Sequence, residues 1–350
     1  MNTSIYRIDP DHIDADAETI LKNAGKIIAE GGLVVFPTET VYGLGADGTS
    51  ADASERIYSA KGRPSDNPLI IHVADPSDVS RYAYVEPLYE LLAAAFMPGP
   101  LTVVLPVKET VPKTVTAGLS TVAVRCPSHP IARKLIEYAG RAIAAPSANL
   151  SGSPSPTCGE HVISDMDGRV DVIIDGGECS VGVESTIVKI DGGSLTLLRP
   201  GGVTLEQLAF FDPDIKVADA VLGALPEGAR PLSPGMKYKH YAPRAPLALI
   251  DADEDSFFEY ISMQSGEIGI ICYNEQIERA LGLGVPRERI FRLGARDDLS
   301  EQARNLFAVL RDTDRCELEC LYSPMPTDRG LGMALYNRMI RAAAHRIIKL

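Results

Sequence analysis

No stretch of this sequence approaches the roughly 20 apolar residues that a membrane-spanning helix needs. Its first residues, "MNTSIYRIDPDHIDADAE", are acidic and lack an apolar centre, which excludes a secretory signal and a basic transit peptide and makes a cytoplasmic location the expectation. Cysteine is sparse and scattered: of Cys126, Cys158, Cys179, Cys272, Cys316 and Cys320, only the last two are near neighbours, and no second pair or flanking histidine completes a tetrahedral zinc site. Free, reduced thiols and no protein-bound structural metal are expected. Positive charge is also in deficit. With 34 Lys and Arg against 47 Asp and Glu, the formal charge of -13 argues against a protein that coats nucleic acid, because displacing counterions from phosphates needs clustered cations.

Familiar catalytic signatures are missing as well. No G-x-x-x-x-G-K-[ST] phosphate loop occurs, and "GLGVPRERI" neither follows a strand nor opens a helix as a dinucleotide fingerprint would. There is no Ser-His-Asp order, no carboxylate pair flanking an obvious cleft, no histidine cluster, no internal repeat and no low-complexity segment. What remains is a 350-residue chain, 45% hydrophobic and 23% charged, long enough for two globular domains.

Residues 14–30 put Ile20, Leu21, Ala24, Ile27 and Ile28 on one helical face, and Gly31-Gly32 stops that helix before "LVVFPT". Strands and helices then alternate through "PLIIHVAD", "LTVVLPV", "TVAVRCP", "AIAAPSAN", "DVIIDGG", "STIVKI" and "LTLLRPG", giving an α/β sheet domain over residues 1–212. A Pro- and Gly-rich segment, 213–245, reads as an ordered linker. Residues 246–350 repeat strand and helix four times, as a smaller parallel, doubly wound Rossmann-like α/β domain would.

Three stretches carry chemistry. In "KGRPSDNPL", residues 61–69, Lys61 and Arg63 are held in a short connection stiffened by two prolines, which suits a polyphosphate or carboxylate; solvated cations at a helix C-terminus are the plain alternative. The loop "APSANLSGSPSPT" offers Ser147, Asn149, Ser151, Ser153 and Ser155 at a strand's C-terminal end, where open α/β sheets bind ligands, although these are also ordinary turn formers. Arg125 ends a strand of small apolar residues and could clamp a carboxylate or make a structural ion pair. Lys108, Lys113, Arg125, Arg133, Lys134 and Arg141 outnumber Glu109 and Glu137 between Gly99 and Asn149, a basic subregion in an acidic chain. In the linker, Arg230, Lys237, Lys239 and Arg244 are interleaved with Tyr238, His240 and Tyr241. These features together point to anion binding with polar orientation, a setting for chemistry driven by positioning and charge neutralisation.

The motifs "FPTETVYGLGADG", "KGRP..NPL.IHV", "VAVRCP", "APSANLSGSPSPT", "ESTIVKI", "LLRPG" and "SPGMKYKHYAPRAPL" resemble, in order, those of the YrdC-like family of L-threonylcarbamoyl-AMP synthases in its long, two-domain form. The resemblance implies a YrdC-like twisted open sheet for the first domain. It implies that L-threonine, bicarbonate and ATP, with Mg²⁺, give L-threonylcarbamoyladenylate and pyrophosphate. The product would feed N6-threonylcarbamoyladenosine formation at position 37 of tRNA through a separate threonylcarbamoyl transferase. The family's Lys-x-Arg and Ser-x-Asn signature falls on Lys61, Arg63, Ser147 and Asn149 as catalytic residues. Threonine would be held by Thr40, His72, Arg125, the backbone at Ala145, and Ser185. ATP would meet Arg63, Asn67, Thr121, Ser147, Ser155, Arg199 and Tyr241, with residues 230–245 acting as a lid that excludes water.

A double-stranded RNA or tRNA-binding module of the same fold is the rival from another class. The charge of -13 and the lack of an extended Lys/Arg run weigh against it and leave room only for a weak tRNA contact. The hydrogenase-maturation carbamoyltransferase shares a related domain but carries paired Cys-x-x-Cys modules, which are missing here. In a filter-binding assay over a salt series, double-stranded RNA should be retained weakly; tight retention that falls steeply with salt would restore the RNA-binding reading.

Overall fold

In the computed structural model, which describes residues 2–223 and 241–350, two short polar side chains start the helices that flank the first sheet. Asp14 Oδ1 accepts the Ala17 N–H at 2.8 Å and opens α1 (Ala15–Ala29). Ser50 Oγ accepts the Ala53 N–H at 3.2 Å and opens α2 (Ala51–Lys61). Each satisfies a donor that the first helical turn cannot. Of the expected stripe, α1 buries Leu21, Ala24 and Ile28, with Gly25 beside them, and leaves Ile20 and Ile27 partly buried at its margin. Among the helices that follow are α3 (Pro87–Phe96), α4 (Lys113–Thr116) and α5 (Pro130–Ala139).

The chain divides into two compact units, Met1–Ser151 with Ser155–Lys237, and Gly152–Pro154 with Tyr238–Leu350. In the first, β1 (Ser4–Arg7), β2 (Val34–Phe36), β3 (Gly43–Asp47), β4 (Ile70–His72), β5 (Leu101–Pro106), β6 (Thr121–Arg125), β7 (Ile143–Ala144), β8 (Val172–Asp175), β9 (Thr186–Asp191), β10 (Ser194–Arg199) and β11 (Lys216–Val217) form one mixed sheet. Their order is β1-β8-β2-β3-β7-β4-β6-β5-β9-β10-β11. The core on one face joins α1 and α5 to Val34, Phe36, Ile143, Val172 and Ile174. The sequence reading missed β3 because Gly43 and Gly45 give it no apolar pattern. A Cβ on Gly45 would sit 2.7 Å from the Phe36 ring and 2.8 Å from Ile143, so glycine is what lets the strand lie there.

The second unit holds β12 (Leu247–Asp251), β13 (Ile268–Tyr273), β14 (Ile290–Gly294), β15 (Cys320–Pro324) and β16 (Ile347–Lys349), in the order β14-β13-β15-β12-β16. All pairs are parallel. The fifth strand, β16, was not read from the sequence; it is three residues long and pairs only with β12, at the sheet edge. Phe257, Phe258 and Ile261 pack on Ile250, Ile270 and Cys272 to make this unit's core.

Part of the segment read as a linker is sheet: β11 pairs in parallel with β10. Residues 224–240 lie outside the described residues, and with them Arg230, Lys237, Tyr238, Lys239, His240 and most of the expected lid. No helix among the described residues is long and apolar enough to cross a membrane.

α1 and α5 approach closely because position 25 has no side chain. A Cβ there would lie 2.7 Å from the Tyr138 carbonyl carbon and 2.8 Å from the Ala139 nitrogen, so the clash is with backbone. Gly25→Ala should therefore cost about 1–3 kcal/mol despite its gain in helix propensity, lowering the thermal midpoint by a few degrees. An unchanged or raised midpoint would contradict this packing.

Candidate active site

The end of α2 explains the compact basic connection. Gly62 takes the left-handed conformation (φ 62°), and the Arg63 N–H turns back to the Tyr58 carbonyl at 2.9 Å, closing the helix. Arg63 then donates from Nε to the Asn67 carbonyl (3.3 Å) and from Nη2 to the Pro68 carbonyl (3.0 Å). The Tyr58 hydroxyl donates to the carbonyls of Asn67 (3.2 Å) and Thr114 (2.9 Å); burial pushes its pKa up to about 12, so it remains a donor at working pH. Asn67 is 2% exposed, and its side-chain Oδ1 is buried without a hydrogen-bond partner. A buried amide oxygen left unpaired calls for a donor, which an ordered water or a ligand can supply.

The loop after β7 meets this connection at Lys61, which is 3% exposed. Its Nζ donates to the Ser147 carbonyl at 2.5 Å and to the Asn149 carbonyl, with Asn149 Oδ1 at 3.5 Å, while the Ser151 N–H donates to the Lys61 carbonyl at 3.0 Å. Ser147 Oγ donates to Asn149 Oδ1 at 2.5 Å, and Asn149 Nδ2 to the Leu150 carbonyl at 2.7 Å. From the other side, the Leu44 N–H donates to Pro146 and the Ala148 N–H to Tyr42. The two stretches singled out separately in the sequence are thus tied into one cluster.

A second cluster follows from strand register. His72 on β4 and Thr102 on β5 both pair with Arg125 on β6, and paired residues share a face. Arg125 donates from Nε to the Gly99 carbonyl (3.4 Å) and from Nη2 to Glu39 Oε1 (2.7 Å), and both side chains of this ion pair are more than nine-tenths buried. Glu39 Oε2 accepts the Ser128 N–H at 3.2 Å. Thr102 Oγ1 lies 2.7 Å from Ser185 Oγ, to which Arg199 Nη2 donates at 3.1 Å while its Nε reaches the Ser185 carbonyl at 3.1 Å. Next to it, Ser155 Oγ donates to Glu184 Oε1 at 2.6 Å. Burial, reinforced by the Arg125 charge, pushes the His72 imidazole down to about 3, so it is neutral at working pH; its Nδ1 lies 3.2 Å from the Ile70 carbonyl. Thr40 Oγ1 lies 2.9 Å from Thr38 Oγ1, and the Ala145 N–H is taken by the Ile70 carbonyl at 2.9 Å.

Thr121 begins β6, half-buried. Tyr241 belongs to the second unit, where its ring packs on Phe307 with centroids 5.1 Å apart. Sequence reasoning did not single out Glu39, Thr102 or Glu184. Glu39 was within reach, since it stands beside Thr40 inside "FPTETVYGLG"; Thr102 and Glu184 become visible only through pairing and contact. In chemical terms, a buried guanidinium beside hydroxyls and a neutral imidazole suits a small carboxylate, and a lysine–arginine–serine–asparagine cluster suits a polyphosphate.

Known proteins share this architecture. The family model described as "Telomere recombination" matches residues 26–201, and that described as "Threonylcarbamoyl-AMP synthase, C-terminal domain" matches residues 203–344. The threonylcarbamoyl-AMP synthase of Pyrococcus abyssi is 45% identical over 333 residues, 94% of this chain and 95% of that protein. That of Bacillus subtilis is 42% identical over 335 residues, 94% of each. The crystal structure of P. abyssi Sua5 complexed with L-threonine superposes with a TM-score of 0.89 at 42% identity, covering 100% of both chains. Matched along nearly its whole length in sequence and in fold, the chain belongs to the threonylcarbamoyl-AMP synthase family, in its two-domain form.

Proposed function

We propose that the chain is a nucleotidyltransferase that joins L-threonine, bicarbonate and ATP into L-threonylcarbamoyladenylate, releasing pyrophosphate, and that the adenylate passes to a separate transferase that modifies tRNA. The observation that supports this reading is the bond of Lys61, at the start of the basic connection that holds Arg63, to the loop that carries Ser147 and Asn149. The chemistry needs no dedicated triad. Arg125 keeps Nη1 free of hydrogen bonds among the described residues, and in this reading that edge takes the threonine carboxylate, with neutral His72, Thr40 and Ser185 beside it. The freed amine attacks the carbon of bicarbonate and water leaves. A carbamate oxygen then attacks the α-phosphorus and pyrophosphate leaves.

Arg63 and Arg199, with the charge of Lys61 behind the loop carbonyls, would offset the negative charge that gathers on the phosphates; Ser147, Ser155, Asn67 and Thr121 would orient the nucleotide. Mg²⁺ would arrive on the triphosphate: no group of three or more His, Cys, Asp or Glu side chains among the described residues converges on a metal-sized point, and Mg²⁺ is commonly held through substrate phosphates.

Pyrophosphate release from ATP should require L-threonine and bicarbonate together; equal release without threonine would overturn the assignment. Arg63→Ala and Lys61→Ala should each lower turnover by about 100-fold or more, as loss of a preorganised charge does. Wild-type rates in both variants would move the chemistry elsewhere.

A further inference from the structure

The proposed chemistry leaves Glu39 without a task, yet this carboxylate is 6% exposed in the same cluster as Arg125. Burying an acid is costly unless its partners compensate it. Glu39 has two such partners, Arg125 Nη2 at 2.7 Å and the Ser128 N–H at 3.2 Å. An ionised carboxylate offers about four acceptor sites and a guanidinium five donors. Arg125 spends Nε on Gly99 and one Nη2 hydrogen on Glu39. Both partners of the ion pair therefore retain bonding capacity of opposite sign.

Charge balance gives that spare capacity a meaning. A lone buried guanidinium would take any small carboxylate, including bicarbonate, the co-substrate. With Glu39 fixed against it the pair is neutral, and a carboxylate that brings no positive charge meets the charge of Glu39 as well as that of Arg125. A zwitterion meets both favourably. We propose that Glu39 and Arg125 act together as a receptor for the α-amino acid zwitterion, Arg125 taking the carboxylate and Glu39 the ammonium, so that the site selects amino acids over carboxylates lacking an amine. This rests on Arg125 as the partner of the threonine carboxylate. Glu39 then also fixes where the nitrogen sits relative to Arg125.

The test is equilibrium binding to the full chain by calorimetry, without bicarbonate, using L-threonine and 3-hydroxybutanoate, which is threonine without its amine. The wild-type chain should bind L-threonine at least about tenfold more tightly, the usual worth of a hydrogen bond to a charged group. Glu39→Gln keeps the shape and an acceptor for Arg125. It should weaken L-threonine binding by about tenfold or more and strengthen 3-hydroxybutanoate binding, bringing the two within about threefold. A purely structural role for Glu39 would lower the thermal midpoint of the variant and leave the ratio of the two affinities where it was, which would overturn the proposal. So would a wild-type chain that binds both ligands equally, a result that needs no variant to fold. A wild-type chain that binds no L-threonine refutes the threonine reading of Arg125 underneath, and the receptor with it.

Discussion

The ammonium group of Lys61, drawn out of water onto the carbonyls of Ser147 and Asn149, is the contact on which the first unit's polar cluster depends. Carbonyl dipoles stabilise a buried cation only when several point at it, so the loop after β7 must curl to present two in succession. Lys61 in turn must be the last residue of its helix, because the left-handed turn at Gly62 sends the chain away towards Arg63. One contact therefore fixes the helix end, the basic connection and the Ser–Asn loop together. Its cost in desolvation is offset by ordering three polar elements at once.

A different logic governs the strands. His72, Arg125 and Thr102 occupy one row across the middle of an eleven-stranded sheet, where apolar side chains would pack more cheaply. Each polar group in the row has an answer: Glu39 for Arg125, Ser185 for Thr102, and loss of its proton for His72. Arg199 closes the row at Ser185. Hydrogen bonding of this density keeps side chains from wandering, and that is what an anion site needs more than raw charge. The net charge of -13 is thus compatible with an anion site, since the relevant charges are local and fixed.

How much of this was legible in the sequence follows from how local each signal is. β2, β4, β5, β6 and β8 are runs of Val, Ile and Leu and could be read directly. β1 is exposed along its whole length, β3 is rich in glycine, and β11 and β16 are two and three residues long, so none carried a pattern. Among site residues, Lys61, Arg63, Ser147 and Asn149 stood out because turn formers and cations crowd short loops there. Family resemblance supplied Thr40, His72, Ser185 and Arg199, none of which periodicity distinguishes from ordinary strand residues. An ion pair for Arg125 was one of its sequence readings, but that Glu39 is the partner was not legible, because the two lie 86 positions apart and meet only in the folded chain.

That order has a consequence for synthesis. β10, which carries Arg199, lies beside β9 at one side of the sheet, yet Arg199 is what grips Ser185, and Ser185 in turn faces Thr102, a residue translated long before. A nascent chain can assemble α1, α2 and the Lys61 knot while the ribosome is still adding β9, since domains fold from the N-terminus as they emerge. It cannot finish the polar row. The scaffold is built early, and its polar row is completed only when the last strands of the unit leave the exit tunnel.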